Sequence, residues 1–176
     1  MRHLAVRFRT ATTDDTAALA AFSERVFRET FGPHNRPEDM DAYCSSAFSL
    51  AQQRRELEDP DRHIVLAMLA GELVGYAQLC AEPAPAFVTG EAPIEIRRFY
   101  VDPRWHGCGH AHALMTEVMN AAQHRGARTL YLSVWDRNHR AIAFYAKYGF
   151  AHVGTKVFLL GADRQGDYVM MRPLAR

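Results

Sequence analysis

The chain has 176 residues, 48% of them hydrophobic and 23% charged, which suits one globular domain over residues 1–176 with a core of its own. A formal net charge of +1 argues against nucleic-acid binding, no apolar run reaches membrane-spanning length, and Met1-Arg2-His3-Leu4 does not open a secretory leader. Cys44, Cys80 and Cys108 are odd in number and far apart, and the nine histidines form no His-Glu-x-x-His or paired Cys/His spacing, so no disulfide framework and no metal site is expected, and the predicted setting is a reducing cytoplasm.

Residues 4–10 alternate and predict a strand. Thr12-Thr13-Asp14-Asp15 predicts a helix start, and Leu19, Phe22, Val26 and Phe27 follow at helical spacing until Gly32-Pro33. Pro37-Glu38-Asp39-Met40 opens a second helix, with Pro at its first turn, and Leu50 to Leu57 a third, ending near Asp59-Pro60. His63–Ala70 and Leu73–Ala81 are apolar runs joined by a hairpin signal at Ala70-Gly71-Glu72. Glu82 to Pro93, with its prolines, is a loop, and Ile94–Val101 is a strand. Ala111, Leu114, Met115, Val118, Met119 and Ala122 lie on one face of a helix that Gly126 ends. Thr129–Trp135 is an apolar strand, Asn138 to Tyr148 a helix with Gly149 as its C′ residue. Ala151–Leu160 and Tyr168–Met171 are closing strands around a polar turn at Gly161–Gly166. Mixed strands and helices predict an α/β domain.

Two segments carry chemistry. Val101 to Met115 reads as a strand end, a glycine loop and an amphipathic helix. Unpaired N–H groups and the dipole at a helix start favour an anion, and Gly107 and Gly109 allow a close backbone approach. A plain helix-entry turn is the competing reading; the dinucleotide fingerprint lacks its third glycine, and no Gly-Lys-Ser/Thr is present for a P-loop. The second segment starts at Asn138, which can cap a helix and turn its amide to a ligand. Ala141 and Tyr145 share its face at i, i+4. Tyr145 reads either as a half-buried core aromatic or as a phenol aimed into a cleft.

Together these segments resemble the GCN5-related N-acetyltransferase (GNAT) family over nearly the whole chain. Val101, Pro103, Trp105, Gly107, Gly109 and Ala111 match its coenzyme A loop, and Asn138, Ala141, Ile142, Phe144, Tyr145, Lys147, Gly149 and Phe150 match its second motif. His106 stands where the family has Arg or Gln, and His110 where it has an aliphatic residue; a shifted register would put Arg104 in the first of these places. Further stretches at 29–43, 94–101, 132–135 and 158–170 resemble the bacterial spermidine (polyamine) N-acetyltransferases.

The resemblance implies a mixed, splayed sheet flanked by helices, with acetyl-CoA as co-substrate between the strands at 94–101 and 129–135. It puts the backbones of Phe99 and Val101 on the pantetheine arm, a backbone N–H near Tyr100 or Val101 on the oxyanion, and His106, Gly107, Cys108, Gly109, His110 and Ala111 around the pyrophosphate. Asn138 and Ala141 hold the arm, and Lys147 approaches the adenosine end. Tyr145 is the implied proton donor to the leaving thiolate, and Glu95 is the candidate base, or else a salt-bridged strand glutamate beside Arg97 and Arg98. Strict alternation would place Glu95, Arg97 and Phe99 on one face and Ile94, Ile96 and Arg98 on the other. Glu29, Phe31 and Tyr43 are candidate acceptor contacts, with Glu24, Glu38, Asp39 and Asp41 as a face for a polycation or simply a solvated one. Cys108 reads as a spectator. The implied activity is acetyl transfer to a primary amine such as spermidine. The alternatives are a protein N-terminus, an amino acid or an aminoglycoside as acceptor, or a catalytically weak acyl-CoA-binding regulator. The partner is a small-molecule amine, without nucleic acid or membrane, and a homodimer is admitted.

Overall fold

A computed structural model of the chain describes residues 5–175. The segment Met1–Leu4, with the first residue of the expected opening strand, lies outside the described residues, as does Arg176. In chain order the elements are β1 (Arg7–Thr10), α1 (Thr16–Phe31), α2 (Pro37–Ala47), α3 (Leu50–Glu58), β2 (Arg62–Leu69), β3 (Glu72–Cys80), β4 (Pro93–Val101), α4 (His110–His124), β5 (Thr129–Trp135), α5 (His139–Lys147), β6 (Ala151–Leu160) and β7 (Asp163–Pro173). The strands form one sheet in the order β1-β2-β3-β4-β5-β7-β6, antiparallel except for β4 and β5. No helix among the described residues is long and apolar enough to cross a membrane.

The helices cover both faces of the sheet because the strands between them are apolar on both sides. Leu19, Phe22 and Val26 of α1 pack on Ile64, Leu66 and Tyr76. Leu114, Met115, Val118 and Ala122 of α4 pack on the other face, against Val65, Ala67 and Val74. The expected helix start at Thr12 is a tight 3₁₀ turn that feeds α1. The Thr12 N–H donates to the Asp15 carboxylate at 2.8 Å and fixes the entry. Ala70 and Gly71 have φ of 51° and 86°, the signs a two-residue type I′ hairpin needs.

One expected turn is wrong. Asp163–Gly166 is not loop but the start of β7, paired residue for residue with Val157–Leu160 of β6. The β6–β7 hairpin extends beyond β5, whose pairing with β7 starts only at Asp167. The β7 half of its outer end, Asp163–Gly166, is polar, and polarity at a hairpin tip imitates a turn.

The feature that positions the site is the parting of β4 from β5. They pair only over Pro93–Ile96 and Thr129–Leu132, and then diverge. At the same place β4 slips against β3: Leu79 faces Ile96 while Gln78 faces Arg98, so Arg97 is an extra, bulged residue. A bulge bends its strand and reverses the side-chain alternation beyond it. That overturns the expected face assignment. Ile94 and Ile96 join the core under α4 and α5, and past the bulge so do Phe99 and Val101. Arg98 turns to the opposite face, where it pairs with Glu56 of α3 at 2.6 Å, and Tyr100 packs there against Tyr76 and Phe27. Glu95 and Phe99 therefore face opposite ways.

Candidate active site

A cavity of about 540 Å³ runs through this gap and reaches both faces of the sheet. On the α4–α5 side its walls include Phe99, Ala111, Asn138, Ala141, Phe144 and Tyr145. Asp102 donates its backbone N–H to the Val74 carbonyl of β3 at 2.9 Å, so by alternation Tyr100 also bonds toward β3, and the backbones of Phe99 and Val101 point into the gap. A ligand with amides along its length fits there as an added strand.

β4 ends on a rigid corner. Burial opposes ionisation of Asp102, yet hydrogen bonds from the Arg104 side chain and backbone and from Arg25 of α1 hold its carboxyl well below the usual carboxylate range. Arg104 also pairs with Glu72 at 2.7 Å. It is thus committed to the corner, which closes the register that would have made it an anion ligand. Gly107 and Gly109 follow with φ of 80° and 83°, left-handed values that favour glycine. The first paired helical N–H is that of Ala113, on the Gly109 carbonyl at 3.0 Å, so those of His110, Ala111 and His112 precede the intrahelical ladder. Cys108 is exposed within this loop.

His106 does not fit the role of anion donor. Its Nε2 donates to the Val101 carbonyl at 2.9 Å, and its Nδ1 accepts from Arg140 at 2.8 Å. With the Nε2 N–H given to the carbonyl and Nδ1 facing the Arg140 donor, neither nitrogen has an N–H to spare. The histidine instead tethers Arg140, which lines the cavity from the first turn of α5 and brings the cation. The ring of His110 lies on Trp105, 5.6 Å between centroids, so this residue contributes its backbone N–H. Asn138 caps α5: its Oδ1 accepts from the Ala141 N–H at 3.2 Å, leaving the amide NH₂ for a ligand. Lys147 is exposed at the other end of α5 and takes no part in the cavity wall. The Tyr145 ring is wedged between Phe99, Phe144 and Phe150, and burial pushes its phenol far up, so it stays protonated.

On the opposite face the cavity is walled by Phe31, Tyr43, Trp135 and Phe158, all partly exposed, with Glu95 and Asp167 among them. Phe31 and Tyr43 thus stand where the sequence put them, but Glu29 does not. It is exposed and pairs with Arg25 at 3.3 Å, outside the cavity. Glu24 and Asp41 both pair with Arg28, and Asp39 binds Arg36 and the Ala162 N–H. Of the acidic face expected to receive a polycation, Glu24, Glu29, Asp39 and Asp41 are therefore paired with arginines of α1 and of the turn before α2. Glu95 is buried and held by Arg97 at 2.8 Å and Lys156 at 3.7 Å, the ion-paired arrangement. Arg140, Trp135, Phe158 and Asp167 were not singled out from sequence. Arg140 lies inside the recognised second segment, but only the approach of α5 to the loop reveals what it faces.

Comparison with known proteins agrees with this architecture. The family model described as the acetyltransferase (GNAT) family matches residues 20–150. An uncharacterised N-acetyltransferase of Mycobacterium tuberculosis is 38% identical over 91% of this chain and 98% of its own length. The N-alpha-acetyltransferase RimI of the same species is 35% identical over 67% of this chain and 70% of its own length. The crystal structure of a PaiA N-acetyltransferase from Thermoplasma acidophilum in complex with coenzyme A superposes with a TM-score of 0.78 at 18% identity, covering 96% of this chain and 99% of that one.

Proposed function

The chain belongs to the GNAT family of acetyltransferases, and on that premise we propose that its cleft transfers the acetyl group of acetyl-CoA to a small primary amine in the cytoplasm. The observation that carries this reading is the opened β4–β5 gap, with the backbones of Phe99 and Val101 turned into it, the glycine loop at its end and Tyr145 in its wall. Acetyl-CoA, when bound, supplies an activated acetyl group. Phe99 and the Val101 N–H would pair with the amides of its arm, the start of α4 and Arg140 would meet the pyrophosphate, and the Asn138 amide would steady the arm. A backbone N–H of β4 facing the gap polarises the acetyl carbonyl. Tyr145, kept neutral by burial, gives its proton to the departing sulfur.

The acceptor reaches the cleft from the α1–α2 face. The resemblance to spermidine acetyltransferases favours a polyamine; the RimI relative favours the amine of a peptide N-terminus. Neither choice rests on the paired carboxylates of α1 and α2. The test is thiol release from acetyl-CoA against spermidine, arylalkylamines, amino acids and short peptides, with calorimetry of acetyl-CoA binding. Binding accompanied by a raised melting temperature and turnover of an amine is expected. Folded protein that binds no acetyl-CoA at millimolar concentration overturns the reading.

A further inference from the structure

The acceptor half of the cleft contains two buried carboxylates in different states. Glu95 is engaged by Arg97 and Lys156. Asp167 is 8% exposed, lines the same cavity and enters no ion pair among the described residues. Its neighbours in register are Trp135 on β5 and Lys156 on β6, so its side chain shares their face. Lys156 turns to Glu95 instead. Beside this pair Ser133 lines the cavity with a buried hydroxyl that has no hydrogen-bond partner among the described residues. An unpaired buried carboxylate is costly unless a cation meets it. The surrounding walls are aromatic: Phe31 lies against Trp135 at 6.3 Å and Tyr43 against Phe158 at 5.3 Å, centroid to centroid. Such walls suit a cation carried on an apolar body.

We propose that Asp167 is the carboxylate that receives the acceptor's ammonium and takes its proton, in a cleft shaped for a singly charged amine with an apolar body. This rests on the acetyltransferase reading and narrows its acceptor. Asp167 removes one proton from the ammonium and passes it to solvent. The freed lone pair forms the bond from nitrogen to the acetyl carbon as the carbon–sulfur bond breaks. Tyr145 protonates the sulfur and is restored by the second proton leaving nitrogen.

The charges around Asp167 set the working range. Burial raises its pKa to about 6, Lys156 opposes this and Asp136 adds to it. Glu95 and Arg97 face the cavity from β4 as a pair. On the helical side the facing group is Tyr43, whose phenol burial raises, and His34 is stacked on Trp135 at 5.6 Å. Asp167 is thus ionised, and able to accept, above pH about 6.

The experiment compares the native chain with Asp167→Asn and Asp167→Glu, using phenethylamine, spermidine and an alanyl peptide, across pH 5 to 9. For the native chain we expect phenethylamine to give the highest kcat/KM, with an acid limb near pH 6. Asp167→Asn lowers kcat/KM by roughly 100-fold and abolishes the limb, with acetyl-CoA affinity within about twofold. Asp167→Glu restores part of the rate and the limb, which separates a proton-accepting role from a structural one. An Asn variant that binds acetyl-CoA and keeps native turnover with an unchanged limb overturns the assignment, and so does a preference for spermidine. A native chain that acetylates no amine removes the underlying activity, a different failure.

Discussion

On the α4–α5 side of the cleft, the functional groups come from two short segments, 99–111 and 138–145. On the α1–α2 side, Phe31, Tyr43, Glu95, Trp135, Phe158 and Asp167 come from six separate elements. The first half is made largely of backbone: positive-φ glycines, unpaired N–H groups of a helix start and a bulged strand turned away from its neighbour. The second half is made of side chains. Backbone geometry is written locally and tolerates a changed side chain, as His106 shows. A side-chain wall exists only once every strand and helix that supplies it is in register. A family likeness therefore speaks for the cofactor half more directly than for the acceptor half.

Three substitutions sharpen this contrast on the cofactor side and one on the acceptor side. Tyr145→Phe should lower kcat by at least about tenfold while acetyl-CoA affinity is kept, because the phenol is proposed to act only as the sulfur departs. Its ring still packs on Phe99, Phe144 and Phe150, so the melting temperature should hardly move. Normal turnover in the folded variant would return Tyr145 to a purely structural place. Next comes Arg140→Ala, which should weaken acetyl-CoA binding by about tenfold, since it would delete the charge-assisted hydrogen bond proposed to the pyrophosphate. His106→Gln should cost less, about threefold, since it removes the tether rather than the cation. Calorimetry of both variants decides the order; a larger loss at His106 would make the histidine the ligand. The smallest effect belongs to Glu29→Gln. An exposed pair with Arg25 contributes at most about 1 kcal/mol, and kcat/KM for spermidine should stay within about twofold. A clear fall for spermidine alone would reinstate the acidic helix face as a polycation site.

Much of the site was legible from local signals. The glycine loop, the Asn138 cap and the Tyr145 face follow from spacing, because helix phase and φ sign are decided within a few residues. The choice between Arg104 and His106 as anion ligand was not legible, and in the structure both side chains are engaged by other residues. Arg104 is drawn to Asp102 and Glu72, and His106 to Val101 and Arg140, partners up to 34 residues away. The acidic residues of α1 and α2 were misread for a related reason. Glu24 and Glu29 have partners one turn away, but Asp41 of α2 reaches Arg28 of α1, so whether a surface carboxylate faces an arginine or a cleft depends on how the helices sit.

By itself the sequence determined the α/β class, most elements, the glycine loop before α4 and the helix that carries Tyr145, since these depend on short-range sterics and hydrophobic period. Tertiary structure alone decided which way β4 faces. The bulge at Arg97 arises from pairing with β3, and a single extra residue sends Glu95 and Phe99 to opposite sides of the sheet. It also decided that Asp167 is buried with no ion pair among the described residues, because β6 supplies Lys156 opposite it and β4 supplies the Glu95 to which that lysine turns. No pattern along one segment can encode a choice made between two strands distant in the chain.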